Sequence, residues 1–424
     1  MSTLLLLLSA MALAGDPPCY GLTAENSLEG EHFWIEWDDT GDEESSAAML
    51  QAAEEARAFY IEQMGWPFTD QTILLRVQQA PSNGGVCQTA ECDGEPVPVI
   101  TLFARSTGEP GVGTTKHEVA HAAQYSYMGA YLDAVTSWPW WLEGCAVWMT
   151  TKAVDSPSTF SSDVDDYLEV PWLALHQDAT AYLETDRVRT DHMYGTAVLA
   201  QYLEDTHGAD AVKATWEYGQ AHTGEVIEFR DALEAQGLDW EEFWHGYMAA
   251  ITVVDVTHGD ALSEGPYVED KVTLLPDAGE PEEDTRPQGY GLSLVKFAKN
   301  AGEPDYEFEV EVEGDPTVPW LAVLVTTKGR SAGGNVRDVV PLEIGEDGRG
   351  VGTLSGYDGS VDAWLVVSPQ SMERRGFDYT WSARFLPPDT GKKSASKGCG
   401  CSTGGPSTLG WLVLLGVAAL RRRD

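Results

Sequence analysis

The chain has 424 residues, of which 43% are hydrophobic and 10% aromatic, enough for more than one packed core. Its 68 acidic against 26 basic side chains give a formal charge of −42, which repels a polyanion and excludes nucleic acid as a partner. Fifteen Trp, 16 Tyr and 11 Phe exclude a solvated acidic coil, so the acidity belongs to the surface of a folded protein.

Residues 2–14 form a short apolar run closing on Ala12-Leu13-Ala14, the small-x-small pattern that signal peptidase reads. Export is expected, with Gly15 as the first mature residue. Residues 15–258 then read as an α+β domain. Strands are predicted at 32–37, 72–77 and 97–103, where β-branched and aromatic residues cluster. Between the first two, Ala48, Leu50, Ala53, Ala56, Phe59 and Tyr60 recur at helical spacing and predict a helix over 44–64. Pro98 suits only an edge strand, so 97–103 is expected at the edge of its sheet. Gly108, Gly111 and Gly113, with Pro110 among them, are expected to turn the chain into a helix at 115–128. Further helices are predicted at 139–153, 194–206, 210–221, 224–235 and 239–251. Export makes disulfides available. Cys87 and Cys92 can close a small loop, leaving Cys19 and Cys145 to pair or stay free.

From about 259 the period becomes two. Phe308, Val310 and Val312 alternate with Glu307, Glu309, Glu311 and Glu313, while 320–325 and 363–367 read as strands buried on both faces. An all-β sandwich over 259–387 is expected, followed by a flexible linker over 388–398. Residues 399–424 open within Gly398-Cys399-Gly400-Cys401 and continue with a 14-residue apolar run from Ser407, then Arg421-Arg422-Arg423. The run is short for a relaxed membrane span, which needs about 20 residues. This order resembles the MYXO-CTERM sorting tag of myxobacterial surface proteins. The resemblance implies cutting by a sorting protease and membrane attachment at the outer surface through the cysteine region. Loss of three arginines and one aspartate with the tag leaves the mature chain at −44.

The chemistry centres on Thr115-Lys116-His117-Glu118-Val119-Ala120-His121, an H-E-x-x-H within a helical pattern. Side chains four apart project from one helix face, so His117 and His121 can share an ion, and zinc suits that pair. Glu118 then stands where a carboxylate can take a proton from water. A third protein ligand is needed, and Trp138-Pro139-Trp140-Trp141-Leu142-Glu143-Gly144-Cys145-Ala146 offers Glu143, one turn into a helix opened by Pro139. The competing reading of Glu143 is a buried or salt-bridged carboxylate. Trp138, Trp140, Trp141 and Trp148 read as packing rather than as a sugar-stacking platform. The histidines at 32, 176, 207, 222, 245 and 258 lack ligand spacing.

Taken together, His117-Glu118-x-x-His121 and Trp141-Leu142-Glu143-Gly144-x-Ala146 resemble the gluzincin metallopeptidases. The resemblance implies a zincin-like fold with a mixed sheet and a helical subdomain, and Glu143 as third zinc ligand. Asp191-His192-Met193-Tyr194-Gly195 resembles the segment whose tyrosine contacts the tetrahedral intermediate in the related aminopeptidases. Tyr194 is the implied oxyanion donor, with His192 as substitute. The family's edge strand, which pairs with an extended substrate, is matched to 97–103. No Gly-x-Met-Glu-Asn precedes His117, which argues for an endopeptidase or another specificity over an aminopeptidase. The expected function is therefore a surface-displayed zinc metallopeptidase acting on protein or peptide substrates. The alternative is a surface adhesin or glycan-binding protein with a structural zinc.

Overall fold

The β-forming runs of the first hundred residues build a mixed sheet whose register prepares the site. In this computed structural model the described residues span 21–387, apart from 39–40, 81–83, 105–109, 129–137, 155, 178–191, 264, 298–306, 329–333, 356 and 358–361. The expected signal peptide, Cys19, the linker and the sorting tag lie outside them. Strands β1 (Asn26–Glu29), β2 (Phe33–Trp37), β3 (Ile73–Gln79), β4 (Gly84–Cys92) and β5 (Glu95–Ala104) pair in the order β1-β2-β3-β5-β4. β2, β3 and β5 are parallel; β1 and β4 run antiparallel at the two edges.

The strand expected at the edge, 97–103, is therefore interior, and β4 is the edge. Pro98 is tolerated because it faces Thr89 of β4 and stands one residue ahead of Val99, the first residue paired with β3. The β4–β5 hairpin turns at Asp93-Gly94, both at positive φ (52° and 89°), as a two-residue turn of matching twist requires. This strand also overturns the Cys87–Cys92 loop. Five residues along one extended strand separate the two Cα atoms by about 16 Å, far beyond disulfide reach. Cys87 is free and buried, as is Cys145, while Cys92 is disulfide-bonded.

Helix α1 (Glu43–Glu62) begins at Asp42, whose side chain accepts from Ser45 N at 2.7 Å. Its buried face includes Met49, Leu50, Ala53, Ala56 and Tyr60, and the Tyr60 hydroxyl donates to Lys116 O at 2.9 Å. Helix α2 (Pro110–Met128) starts five residues before the expected 115, so Gly111 and Gly113 lie within its first turns. Gly111 lets Met49 of α1 approach: a Cβ there would stand 3.0 Å from the Met49 sulfur. Next come α3 (Pro139–Val154), α4 (Ser158–Glu169), α5 (Ala197–His207), α6 (Ala209–Ala221), α7 (Phe229–Glu234) and α8 (Trp240–Ile251). Trp138, Trp140, Trp141 and Trp148 are all buried among these helices, as packing requires.

One polar clamp ties the described start of the chain to the sheet. Buried Glu36 accepts from Ala24 N at 2.9 Å, from Thr23 and from Arg76 Nε at 2.6 Å. Burial pushes its carboxyl up, but the Ala24 and Thr23 amides and the Arg76 guanidinium outweigh that and hold it below the usual range. A carboxyl depressed in the folded state binds fewer protons than in the unfolded chain, so its stabilisation is present above the unfolded value and lost as pH falls through the folded one. Glu36→Gln should cost about 2 kcal/mol at neutral pH, with the gap to the parent closing in acid. Urea unfolding of both proteins from neutral pH into the carboxylate range checks this.

The β-rich segment contains β6 (Asp270–Val272), β7 (Asp277–Gly279), β8 (Ser293–Phe297), β9 (Glu307–Gly314), β10 (Trp320–Lys328), β11 (Asn335–Ile344), β12 (Arg349–Leu354), β13 (Asp362–Pro369) and β14 (Tyr379–Leu386). The sandwich expected there takes the form of one nine-stranded sheet in the order β6-β8-β13-β10-β11-β12-β9-β14-β7. It curls until it is nearly closed, with its edge strands β6 and β7 consecutive in the chain. Phe308, Val310, Val312, Ala322, Leu324, Leu365 and Val367 fill its interior. The alternate residues Val323, Val325, Trp364 and Val366 face outward and join the apolar core of the helices. Trp244 Nε1 donates to Ser368 Oγ at 3.1 Å across that layer, and Trp240 Nε1 to Gln370 Oε1 at 2.8 Å. The described residues form one compact unit.

Candidate metal centre

Helix α2 supplies two imidazoles from one face, and α3 supplies a carboxylate opposite them. Within α3 nearly every residue from Trp140 to Thr151 is buried, and Glu143 is the acidic interruption of that run. Glu143 Oε2 lies 3.1 Å from His117 Nε2 and 3.3 Å from His121 Nε2. The two rings stand edge to face, with centroids 4.7 Å apart at 89°. One donor atom from each of the three residues falls within 4.8 Å of the others, a convergence that suits a single small cation. Two nitrogens and one carboxylate oxygen are the donor chemistry that zinc takes at a site with one position left open. The residues therefore fit the group. Among the described residues, this is the cluster of three whose donor atoms converge in that way.

The electrostatics follow from burial and proximity. Burial pulls the His121 imidazole down, but the Glu143 carboxylate beside it reverses that and pushes it up to about 9. Burial acts on Glu143 in the opposite sense, and the two imidazoles hold its carboxyl far below the usual range.

Glu118 points from the same helix toward the sheet. It is almost fully buried, and that burial raises its carboxyl; His121 and His117 lower it, Glu143 raises it, and the backbone N–H of Cys87 lowers it by hydrogen bonding. The net shift is upward, which suits a base. Edge strand β4 holds this carboxylate in two ways. Cys87 N–H donates to it, and Gly85 lies so close that a Cβ there would stand 2.6 Å from Glu118 Oε1. The Cys87 carbonyl in turn accepts from the Tyr125 hydroxyl at 3.0 Å, and the Tyr125 ring stacks on His121. Over residues 48–231 the chain is similar to a family of unknown function, DUF6055. The DUF6055 match runs from within α1 into α7 and so spans His117, Glu118, His121, Glu143 and Tyr194. No curated protein matches the chain.

The two oxyanion candidates part company. A helical turn at 192–195 brings the Tyr194 ring to 6.0 Å from the His117 ring. His192, on the same turn, is fully buried against Tyr167 at 4.8 Å, and neither ring nitrogen has a hydrogen-bond partner among the described residues. Burial and the nearby His176 push it down to about 3, which keeps it neutral. Among the described residues no hydrogen bond or ring contact joins His192 to the three ligands.

Two glycines permit this packing. Gly144 lies against Thr196, and Gly195 against Tyr167 and the Asp163 carbonyl, each too close to admit a Cβ. The Glu-Gly and Tyr-Gly pairs thus press α3, α4 and the Tyr194 turn together.

Gly85 and the Cys87 amide are contributors that sequence reasoning missed; the Gly84-Gly85 doublet and the Asp93-Gly94 turn were the available signals. Gly85→Ala should push the Glu118 carboxylate aside. If the site turns over a substrate, a displacement of about 1 Å should lower that turnover roughly 100-fold without changing how much zinc the protein can take up. Parallel assays of turnover and bound metal test this; parental turnover would mean that the strand yields without cost.

Proposed function

We propose that the protein is an exported zinc-dependent metallopeptidase of zincin type, hydrolysing peptide bonds at the outer cell surface. The observation that carries this reading is the convergence of His117, His121 and Glu143 beside a buried carboxylate, Glu118, under an edge strand. A mixed sheet whose antiparallel edge lies along the metal-binding helix supports the zincin-like fold. When bound, zinc supplies Lewis acidity that polarises a carbonyl and acidifies a water. Glu118 takes the proton from that water as it adds to the scissile carbon, then delivers a proton to the amine nitrogen as the carbon–nitrogen bond breaks. The Tyr194 hydroxyl donates to the oxygen on which negative charge develops. An extended substrate is oriented along β4, the sheet edge nearest the base.

Signal peptidase and a sorting protease would act on the two ends of the chain, and the cysteine region would supply membrane attachment. No helix among the described residues is long and apolar enough to cross a membrane. Metal analysis of the purified protein, with mass-spectrometric mapping of cleavage sites in a peptide library, tests the reading. One zinc per chain and chelator-sensitive internal cleavage are expected. One zinc with no cleavage anywhere in the library would instead favour a structural metal and a recognition role for the β-rich segment.

A further inference from the structure

We infer that Gln124 is the positioning residue of the metal centre, fixing the imidazole of His121 and the backbone carbonyl that precedes Glu143 through one buried amide. The inference rests on the metal reading above and extends it to a residue that touches no substrate.

His117, His121 and Gln124 occupy positions i, i+4 and i+7 of α2 and so share one stripe of the helix. Gln124 is fully buried, where an amide must find partners for both of its ends. One end lies 3.0 Å from the carbonyl oxygen of Leu142. A carbonyl only accepts, so that end is the NH2 group, and the amide has a single orientation. The other end, Oε1, then faces His121 Nδ1 at 2.7 Å. An amide oxygen only accepts, so Nδ1 carries the proton. With Nδ1 protonated, the lone pair of the neutral ring belongs to Nε2, the nitrogen that faces Glu143 and converges on the cluster. A carbonyl on α3 thereby decides which nitrogen of a histidine on α2 binds metal.

The same amide also hydrogen-bonds the Cys145 thiol. Leu142 and Cys145 bracket Glu143, so Gln124 grips the third ligand's helix on both sides while holding the second ligand's ring. Both ligand-bearing helices are thus referred to one side chain. A hydrogen-bonding partner of this kind fixes tautomer and ring orientation, and its loss ordinarily lowers metal affinity about 10- to 100-fold.

The test measures zinc affinity by chelator competition in the full-length protein, with the visible spectrum of the cobalt-substituted form and thermal unfolding of the metal-free form. Gln124→Leu removes the hydrogen bonds to His121, Leu142 and Cys145 at nearly constant volume, and Gln124→Met replaces it if the leucine variant does not fold. Zinc affinity should fall about 10- to 100-fold, with altered cobalt bands. Gln124→Glu keeps an acceptor for Nδ1–H and should bind zinc at least tenfold more tightly than the apolar variant. An apolar variant with parental affinity and an unchanged cobalt spectrum overturns the inference alone. So does a Gln124→Glu protein that binds no better than the apolar one, because the role is then only structural. A parent that binds no zinc overturns the metal reading together with this inference.

Discussion

Glu118→Gln should abolish peptide hydrolysis while leaving one zinc per chain in place. General acid–base catalysis is worth about 10²- to 10⁴-fold, and Glu118 is asked both to take and to return a proton, so the loss should lie near the upper end. The substitution is well suited to the site. Glutamine keeps the shape that Gly85 packs against and an oxygen that can still accept from the Cys87 amide. It removes only the ability to hold a proton. Exchanging a buried carboxyl for a neutral amide should also leave thermal stability unchanged or slightly higher, because the desolvation cost of the charge is gone. A fluorogenic peptide assay with metal analysis on the same sample decides the matter, and unchanged turnover would sink the mechanism.

Glu143→Ala should have the larger effect on metal itself. It deletes one of three protein donors, so zinc affinity should fall by about a thousandfold or more, beyond the 10- to 100-fold that outer partners contribute. A second signature separates loss of a ligand from loss of packing. In the metal-free parent, Glu143 pushes His121 up to about 9, so a proton sits there at neutral pH and must leave when a metal arrives. Zinc uptake by the parent should release about one proton at pH 7, and affinity should weaken as pH falls. Without Glu143 the two strongest raising influences on His121 are gone, so its imidazole falls back and less of that release remains. Calorimetry in buffers of different ionisation enthalpy measures it. Parental proton release from the Glu143→Ala protein would contradict this account.

Much of this site was legible in the sequence because its parts are local. The His117–His121 spacing is a property of any helix, and the Trp-Leu-Glu-Gly stretch brought Glu143 forward by resemblance. What escaped was decided by tertiary pairing. Nothing within 97–103 says whether a further strand lies beyond it; that strand is β4, whose glycines and polar residues look like a loop until β5 pairs with them. Helix α4 escaped for a different reason. Phe160, Val164, Tyr167 and Leu168 follow helical spacing and are buried, but the serines and aspartates between them favour caps and turns. His192 and Tyr194 looked interchangeable as oxyanion donors. Residues two apart on a helical turn point about 200° from each other, so only one of them can face a metal bound on a neighbouring helix.

The strands β10 and β13 are apolar on both sides, one side lining the curled sheet and the other lying under α8. The helical half and the curled sheet therefore share one apolar core and should melt together. Opening the curled sheet would strip the covering from the helices, so by linkage a change that loosens Trp364 or Val366 should weaken the binding of any metal held at His117. Conversely, a metal bound there should stabilise strands that never touch it. A fold built in this way should unfold as a whole, and its helical half should not survive removal of the β-rich segment.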